Sequence, residues 1–226
     1  MAQDYEALLK QVLEAAASYK NDAPAAGAPA PAPAAGGLEP IPVGISNRHL
    51  HLCQADMDVL FGPGYELTKI KDLKQPNQFA SKETLTVVGP KGAIEKVRVL
   101  GPIRKATQVE LLLGDSFKLG IKPPTRMSGD LAGTPGCTLV GPKGTVVLTE
   151  GVIVAQRHIH MTAAEAQAYG VTNGQTVSIE FDGPRCGVLG NVAIRAGEGH
   201  ALECHVDTEE ANALAITSDT TFKLIK

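Results

Sequence analysis

Apolar and polar positions alternate along most of this chain with the period of a strand, and only three short stretches carry the period of a helix. Near the N-terminus, within residues 1–20, Leu8, Leu9, Val12, Leu13, Ala16 and Ala17 recur at helical spacing, with Glu6, Lys10 and Glu14 opposite. This predicts an amphipathic helix over residues 3–19 that needs a surface to dock on, because so short a helix is marginal alone in water. Residues 21–37 (NDAPAAGAPAPAPAAGG) contain no core-forming side chain and read as an extended tether. From Leu38 onward the pattern is strand-like: Ile41 to Ile45, Thr84 to Val88, Lys96 to Leu100, Gln108 to Leu113, Val146 to Leu148, Val152 to Ala155, Thr176 to Phe181, Val188 to Ile194 and Phe222 to Ile225. Two short helices interrupt it. One spans Leu52 to Leu60, opened by Gln54 and Ala55 and ended by Phe61-Gly62-Pro63-Gly64. The other follows Thr162, a predicted N-cap with Glu165 as its capping-box partner, and Gly170 ends it.

Two parts of this pattern repeat. Arg48-His49-Leu50-His51-Leu52 is echoed 109 positions later by Arg157-His158-Ile159-His160-Met161, and each follows a strand and precedes a short helix. Val88-Gly89-Pro90-Lys91-Gly92 is echoed by Val140-Gly141-Pro142-Lys143-Gly144, turn chemistry between apolar runs that predicts hairpins. The body therefore reads as a diverged internal duplication: a mainly β chain of two closely associated small β-barrels, 38–155 and 156–226, capped by short helices.

Composition narrows the function classes. A net charge of -3 over 226 residues gives no reason to invoke nucleic acid or a membrane surface. No apolar run is long enough to span a bilayer, and the N-terminus lacks the pattern of a secretory signal. The four cysteines, Cys53, Cys137, Cys186 and Cys204, form no CxxC pair, which argues against a zinc ribbon or redox motif and fits a reduced, cytosolic chain.

The histidines carry the chemistry. Four of the six lie in the two repeated pentapeptides. In a strand, residues i and i+2 share a face, so each pair presents two imidazoles to one side while Leu50 or Ile159 packs behind. Two neutral imidazoles on one face suit a transition metal. Glu110, inside the apolar run VELLL, is either an outward-facing Glu on an amphipathic strand or a carboxylate buried against a metal. His205 lies in the strand-like LECHVD, where Cys204 points to the other face; His200, beside Gly199, reads as a loop residue. Six ligands, His49, His51, Glu110, His158, His160 and His205, match two zinc ions with three protein groups each and a position open for water or substrate. Lys69, Lys71, Arg98, Arg104, Lys105 and Arg126 fall between the histidine pairs. Arg104, in a turn after Gly101-Pro102, is suited to bidentate recognition of phosphate.

In this order, RHLHL, VELLLGD, PPTRMSGD, RHIHM and CHVD, preceded by a helix on a Pro/Ala tether, the chain resembles the PduL-type phosphate acyltransferases (phosphate propanoyltransferases) of bacterial microcompartments, over Leu38 to Lys226. The resemblance implies two associated β-barrels, a dinuclear zinc centre, and reversible transfer of a short acyl group between coenzyme A and inorganic phosphate. It implies that His49, His51 and Glu110 hold one zinc, that His158, His160 and His205 hold the other, and that Arg104 binds phosphate. It also implies a coenzyme A surface of Ile45, Ser46, Asn47, Lys71, Arg98 and Asn212, with Phe117 against the adenine. The N-terminal helix resembles an encapsulation peptide that docks on shell or core proteins, which places the chain in a microcompartment lumen; a homodimer or higher assembly is the expected state. Two other functions fit a dinuclear site: a metal-dependent thioester hydrolase, and a non-catalytic scaffold module with structural metals.

Overall fold

The computed structural model describes residues 40–226, together with Lys10 and Gln11, which are helical. The rest of the expected N-terminal helix and tether lies outside the described residues. The first part of the body runs β1 (Val43–Ser46), β2 (His49–His51), α1 (Gln54–Phe61), β3 (Lys69–Asp72), β4 (Phe79–Val88), β5 (Ala93–Gly101), β6 (Gln108–Leu111), α2 (Asp115–Leu119), β7 (Thr125–Arg126), β8 (Thr138–Val140), β9 (Thr145–Val147) and β10 (Val152–Ala155). There follow β11 (His158–Met161), α3 (Ala163–Tyr169), β12 (Thr176–Phe181), β13 (Gly187–Ala196), β14 (Glu203–Asp207), α4 (Thr208–Leu214) and β15 (Lys223–Ile225).

The strands form two sheets. The larger has the order β7-β10-β6-β2-β5-β4-β8-β9, with β3 also on β4; the smaller has the order β1-β14-β11-β13-β12-β15. Each has its own apolar core, because alternate residues of each strand point to one side. Leu85 and Val87 of β4 join Leu50, Val99, Val109 and Leu139 in one core. Val177, Ile179 and Phe181 of β12 join Ile159, Ile194 and Val206 in the other. The fold is mainly β with few short helices, as the alternation predicts. A strongly curled half-barrel sheet is formed, and among the described residues the outermost strands of each sheet do not pair with one another.

The leading strands are exchanged between the sheets. β1 runs into the histidine strand β2, yet it pairs in parallel with β14, Gly44 opposite His205. β10 runs into the second histidine strand β11, yet it pairs in parallel with β6, Ile153 opposite Glu110. Beyond this exchange the pairing is the same in both sheets: β2 lies between β5 and β6, and β11 between β13 and β14. The VGPKG segments are hairpin turns, as expected. Both close hairpins of the larger sheet, β4–β5 and β8–β9, with Gly89 N donating to Gly92 O and Gly141 N to Gly144 O, each at 2.9 Å. They are adjacent turns of one sheet, since β4 pairs with β8.

The short helices hold the strand ends. Thr162 caps α3: Glu165 N donates to its Oγ1 (3.1 Å), Glu165 Oε2 accepts from Thr162 N (2.7 Å), and Gly170 ends the helix at φ 63°. Asp207 and Glu210 make the same reciprocal cap on α4, a helix the apolar pattern did not reveal because only Ala211 of it is buried. Two ion pairs tie these parts to the histidine strands. Arg48 Nε donates to Asp115 Oδ2 (2.8 Å) and Arg157 Nε to Glu210 Oε1 (2.6 Å).

Candidate metal centre

Alternation within β2 and β11 puts Leu50 and Ile159 wholly into the two cores. The flanking histidines are thereby turned to the opposite face. Register then adds the third member of each group: His49 pairs with Glu110 and His158 with His205. Ligand-type atoms of His49, His51 and Glu110 all lie within 4.8 Å of one another, as do those of His158, His160 and His205.

Ring orientation is fixed from behind. His49 Nδ1 lies 2.8 Å from the Asn47 carbonyl and His158 Nδ1 lies 2.7 Å from the Gln156 carbonyl. A carbonyl only accepts, so each Nδ1 carries the hydrogen and each Nε2 turns a lone pair inward. Inside, His49 Nε2 stands 3.4 Å from Glu110 Oε2, and His158 Nε2 stands 3.0 Å from His160 Nε2. A metal ion bound to these nitrogens and to the carboxylate would satisfy all of them at once, in place of the proton that otherwise bridges each pair. His51 Nδ1 is buried with no hydrogen-bond partner among the described residues. The donor set of imidazole and carboxylate fits zinc and its neighbours.

Charge states agree with this. Burial opposes a charge on Glu110, but His49, His51 and Arg104 outweigh it and hold the carboxyl well below the usual range. Burial also opposes protonation of His49, and Glu110 outweighs it, so that pKa is raised. Burial, with neighbouring cations, lowers His51 to about 3, His158 to about 4 and His160 to about 2. These three rings are neutral at physiological pH, the state in which imidazole binds a metal.

Both groups open on one cavity of about 350 Å³, lined from both sheets. Arg104 lines it, half-buried, with Nη1 donating to Ser128 Oγ (2.9 Å). Ile45, Ser46, Asn47 and Arg98 line it as well; Arg98 Nη1 is pinned by the carbonyls of Ser81 (3.0 Å) and Lys82 (2.9 Å). Lys71, Phe117 and Asn212 do not line it: Lys71 is exposed on β3, Phe117 is 82% exposed on α2, and Asn212 is exposed on α4. Arg126 is exposed and paired with Asp130 at 3.5 Å.

Several residues that line the cavity or touch the histidine and Glu110 groups escape a linear reading. Arg195 of β13 lines the cavity near Glu110. Gln108 Nε2 donates to Glu110 Oε1 (2.6 Å) and to Ser128 Oγ (2.9 Å). His200 Nδ1 lies 3.0 Å from His160 Nδ1. Glu203 Oε2 lies 2.7 Å from His205 Nε2. The available signal was the i, i+2 spacing of Gln108 and Glu203 to Glu110 and His205, which becomes meaningful only once those two are paired with the histidine strands.

A cavity lined by two groups that could each hold a metal ion, and by Arg98, Arg104 and Arg195, is suited to an enzyme that handles anionic substrates. The sequence comparisons narrow that class. The model of the phosphate propanoyltransferase family matches residues 42–217, and the chain belongs to that family of phosphate acyltransferases. It is 52% identical over 205 residues to a phosphate propanoyltransferase of Rhodopseudomonas palustris, covering 90% of this chain and 91% of the relative. The relative of that name from Rhodobacter capsulatus is 54% identical over 186 residues, 82% of this chain and 86% of its own. That of Thermotoga maritima is 55% identical over 179 residues, 79% and 85% of the two chains.

Proposed function

We propose that this enzyme moves a short acyl group reversibly between coenzyme A and inorganic phosphate at two zinc ions. His49, His51 and Glu110 would hold one, and His158, His160 and His205 the other. The observation that carries the reading is the meeting of both triads in one arginine-lined cavity, in a chain of this family. Zinc bound there would supply Lewis acidity toward the thioester carbonyl and the oxyanion that develops on it.

The protein's own groups do the rest. Arg104 grips phosphate with the donors that its Ser128 bond leaves free, and that bond fixes the plane of the fork. Arg195 adds a second positive charge on the same cavity. Hydrogen phosphate held this way attacks the thioester carbonyl: a C–O bond forms, the C–S bond breaks, and coenzyme A leaves as a thiol with the proton that the phosphate gives up. Positioning two reactants in one site supplies much of the rate. None of the four cysteines, Cys53, Cys137, Cys186 and Cys204, lines the cavity, so none is placed to act as the nucleophile. Direct attack by phosphate is therefore preferred to an acyl-enzyme.

Coenzyme A lies along Ile45, Ser46, Asn47 and Arg98, and reaches outward past Lys71 and Asn212 to Phe117, which meets the adenine. The N-terminal segment docks on microcompartment shell or core proteins, placing a homodimer or larger assembly in the lumen. The two halves, 38–155 and 156–226, descend from a duplication; the equal spacing of their histidine strands and their matching strand pairing support this. The test is thiol release from acetyl-CoA and propanoyl-CoA with and without phosphate, on protein whose metal has been counted. Phosphate-dependent release with acyl-phosphate trapped as hydroxamate is expected, at about two zinc per chain. Equal release without phosphate would mean a hydrolase, and no turnover at full metal content would mean a scaffold.

A further inference from the structure

Each triad has one ligand outside the histidine pair, and each of those ligands is touched by the residue two positions before it on the same strand face. Glu110, an acceptor, meets the amide donor of Gln108 at 2.6 Å. His205, whose ring N–H donates, meets the acceptor carboxylate of Glu203 at 2.7 Å. Gln108 and Glu203 stand 95 positions apart, as do Glu110 and His205. The chemistry of the supporting residue has therefore switched with that of the ligand it supports.

Glu203 is itself held. Gln75, 3% exposed, lies in the connection between β3 and β4 of the larger sheet. It donates from Nε2 to Glu203 Oε2 (3.0 Å) and to the Ala201 carbonyl (2.9 Å), and its Oε1 accepts from Ala201 N (3.2 Å). Gly44 of the exchanged strand β1 closes the other side. A Cβ there would stand 2.7 Å from Glu203 Oε1 and 3.1 Å from His205 Cδ2. The carboxylate is outside the cluster whose ligand atoms lie within 4.8 Å of one another, so it acts through the ring and is not a fourth ligand.

We propose that Glu203 is the positioning residue of the second triad, and that Gln75 of the other sheet holds it in place. The inference rests on the dinuclear reading above. A carboxylate behind a metal-binding imidazole fixes the ring's orientation and tautomer and raises its basicity. With Nε2 donating to Glu203, the nitrogen left to the metal is Nδ1. Because Gln75 and Gly44 come from the other half of the chain, the geometry of one triad depends on the half that carries the other.

The experiment is a zinc titration of the full chain against a chromophoric competing chelator, with metal counted per chain, for wild type, Glu203→Ala, Glu203→Gln and Gln75→Ala. Cobalt(II) substitution gives a visible spectrum for each. Wild type is expected to bind two zinc ions. Glu203→Ala is expected to keep one site unchanged and to weaken the other on the order of 10–100-fold, with a shift in one part of the cobalt spectrum. Glu203→Gln, whose amide oxygen still accepts from the ring, should recover part of the loss, and Gln75→Ala should weaken the same site less. The conservative Glu203→Gln, with Gln75→Ala, keeps the test valid if Glu203→Ala does not fold. Two zinc ions bound at wild-type affinity in the folded Glu203 variants, or equal loss of both sites, would overturn the inference and leave the dinuclear reading standing. A wild-type chain that binds no zinc would overturn the dinuclear reading and the inference with it.

Discussion

Arg104→Ala is the substitution that most directly tests the role assigned to phosphate. The guanidinium is half-buried at the cavity, its Nη1 committed to Ser128 Oγ at 2.9 Å. Burial lowers its pKa, and the Glu110 carboxylate opposes that effect, so the group stays a cation with donors to spare. A hydrogen bond to a charged group contributes ~1.5–3 kcal/mol. Two such bonds to phosphate would give about 3–6 kcal/mol, less in a cavity open to water and with Arg195 still present. We therefore expect a loss of about 2–4 kcal/mol in transition-state stabilisation, roughly 30- to 1000-fold in kcat/KM for phosphate. Arg104→Lys keeps the charge but not the planar fork, and should fall between. The assay is initial rate against phosphate at saturating acyl-CoA, with zinc counted on the same sample. The reasoning fails if kcat/KM for phosphate stays within about threefold of wild type. It fails differently if metal is lost with activity, for then Arg104 holds the site together and does not grip substrate.

Leu50→Ala, at a fully buried position between His49 and His51, should cost about 2–5 kcal/mol in urea unfolding; a change below about 1 kcal/mol would contradict the packing described. Gly136→Ala would drive its Cβ into the Leu148 carbonyl, a backbone atom that cannot swing away. A loss of about 1–3 kcal/mol and a melting point several degrees lower are expected in a thermal scan. Acid should destabilise the metal-free protein. His158 is lowered to about 4 by burial, so between pH 6.5 and 4 the unfolded chain takes up a proton that the folded chain refuses, and stability falls as pH falls. That ring alone accounts for about 2–3 kcal/mol by pH 4.5; His51 and Glu110 act in the same direction, and His49, raised by Glu110, acts against them. Melting chelated protein at pH 7 and pH 4.5 checks the sign, and an unchanged melting temperature would refute it.

What the sequence determined by itself was local. Strand alternation around Leu50 and Ile159 placed two histidines on one face, because Cβ direction follows from the backbone alone. Thr162 with Glu165, and Gly170, marked both ends of α3, because caps satisfy backbone groups within a few residues. The turn chemistry of the two VGPKG segments was readable for the same reason. What only the tertiary structure decided was partnership. Nothing near Val43–Ser46 shows that this strand pairs with Cys204–Asp207, some 160 residues away, rather than in the sheet of β2. Hence the exchange of leading strands between the two sheets was not foreseen. Glu203, Gln75, Gln108 and Arg195 were illegible for the same reason. Each is an ordinary polar residue in its own segment: Gln108 and Glu203 gain meaning only once Glu110 and His205, two positions on, pair with the histidine strands, and Gln75 and Arg195 only once the fold brings them to the cavity.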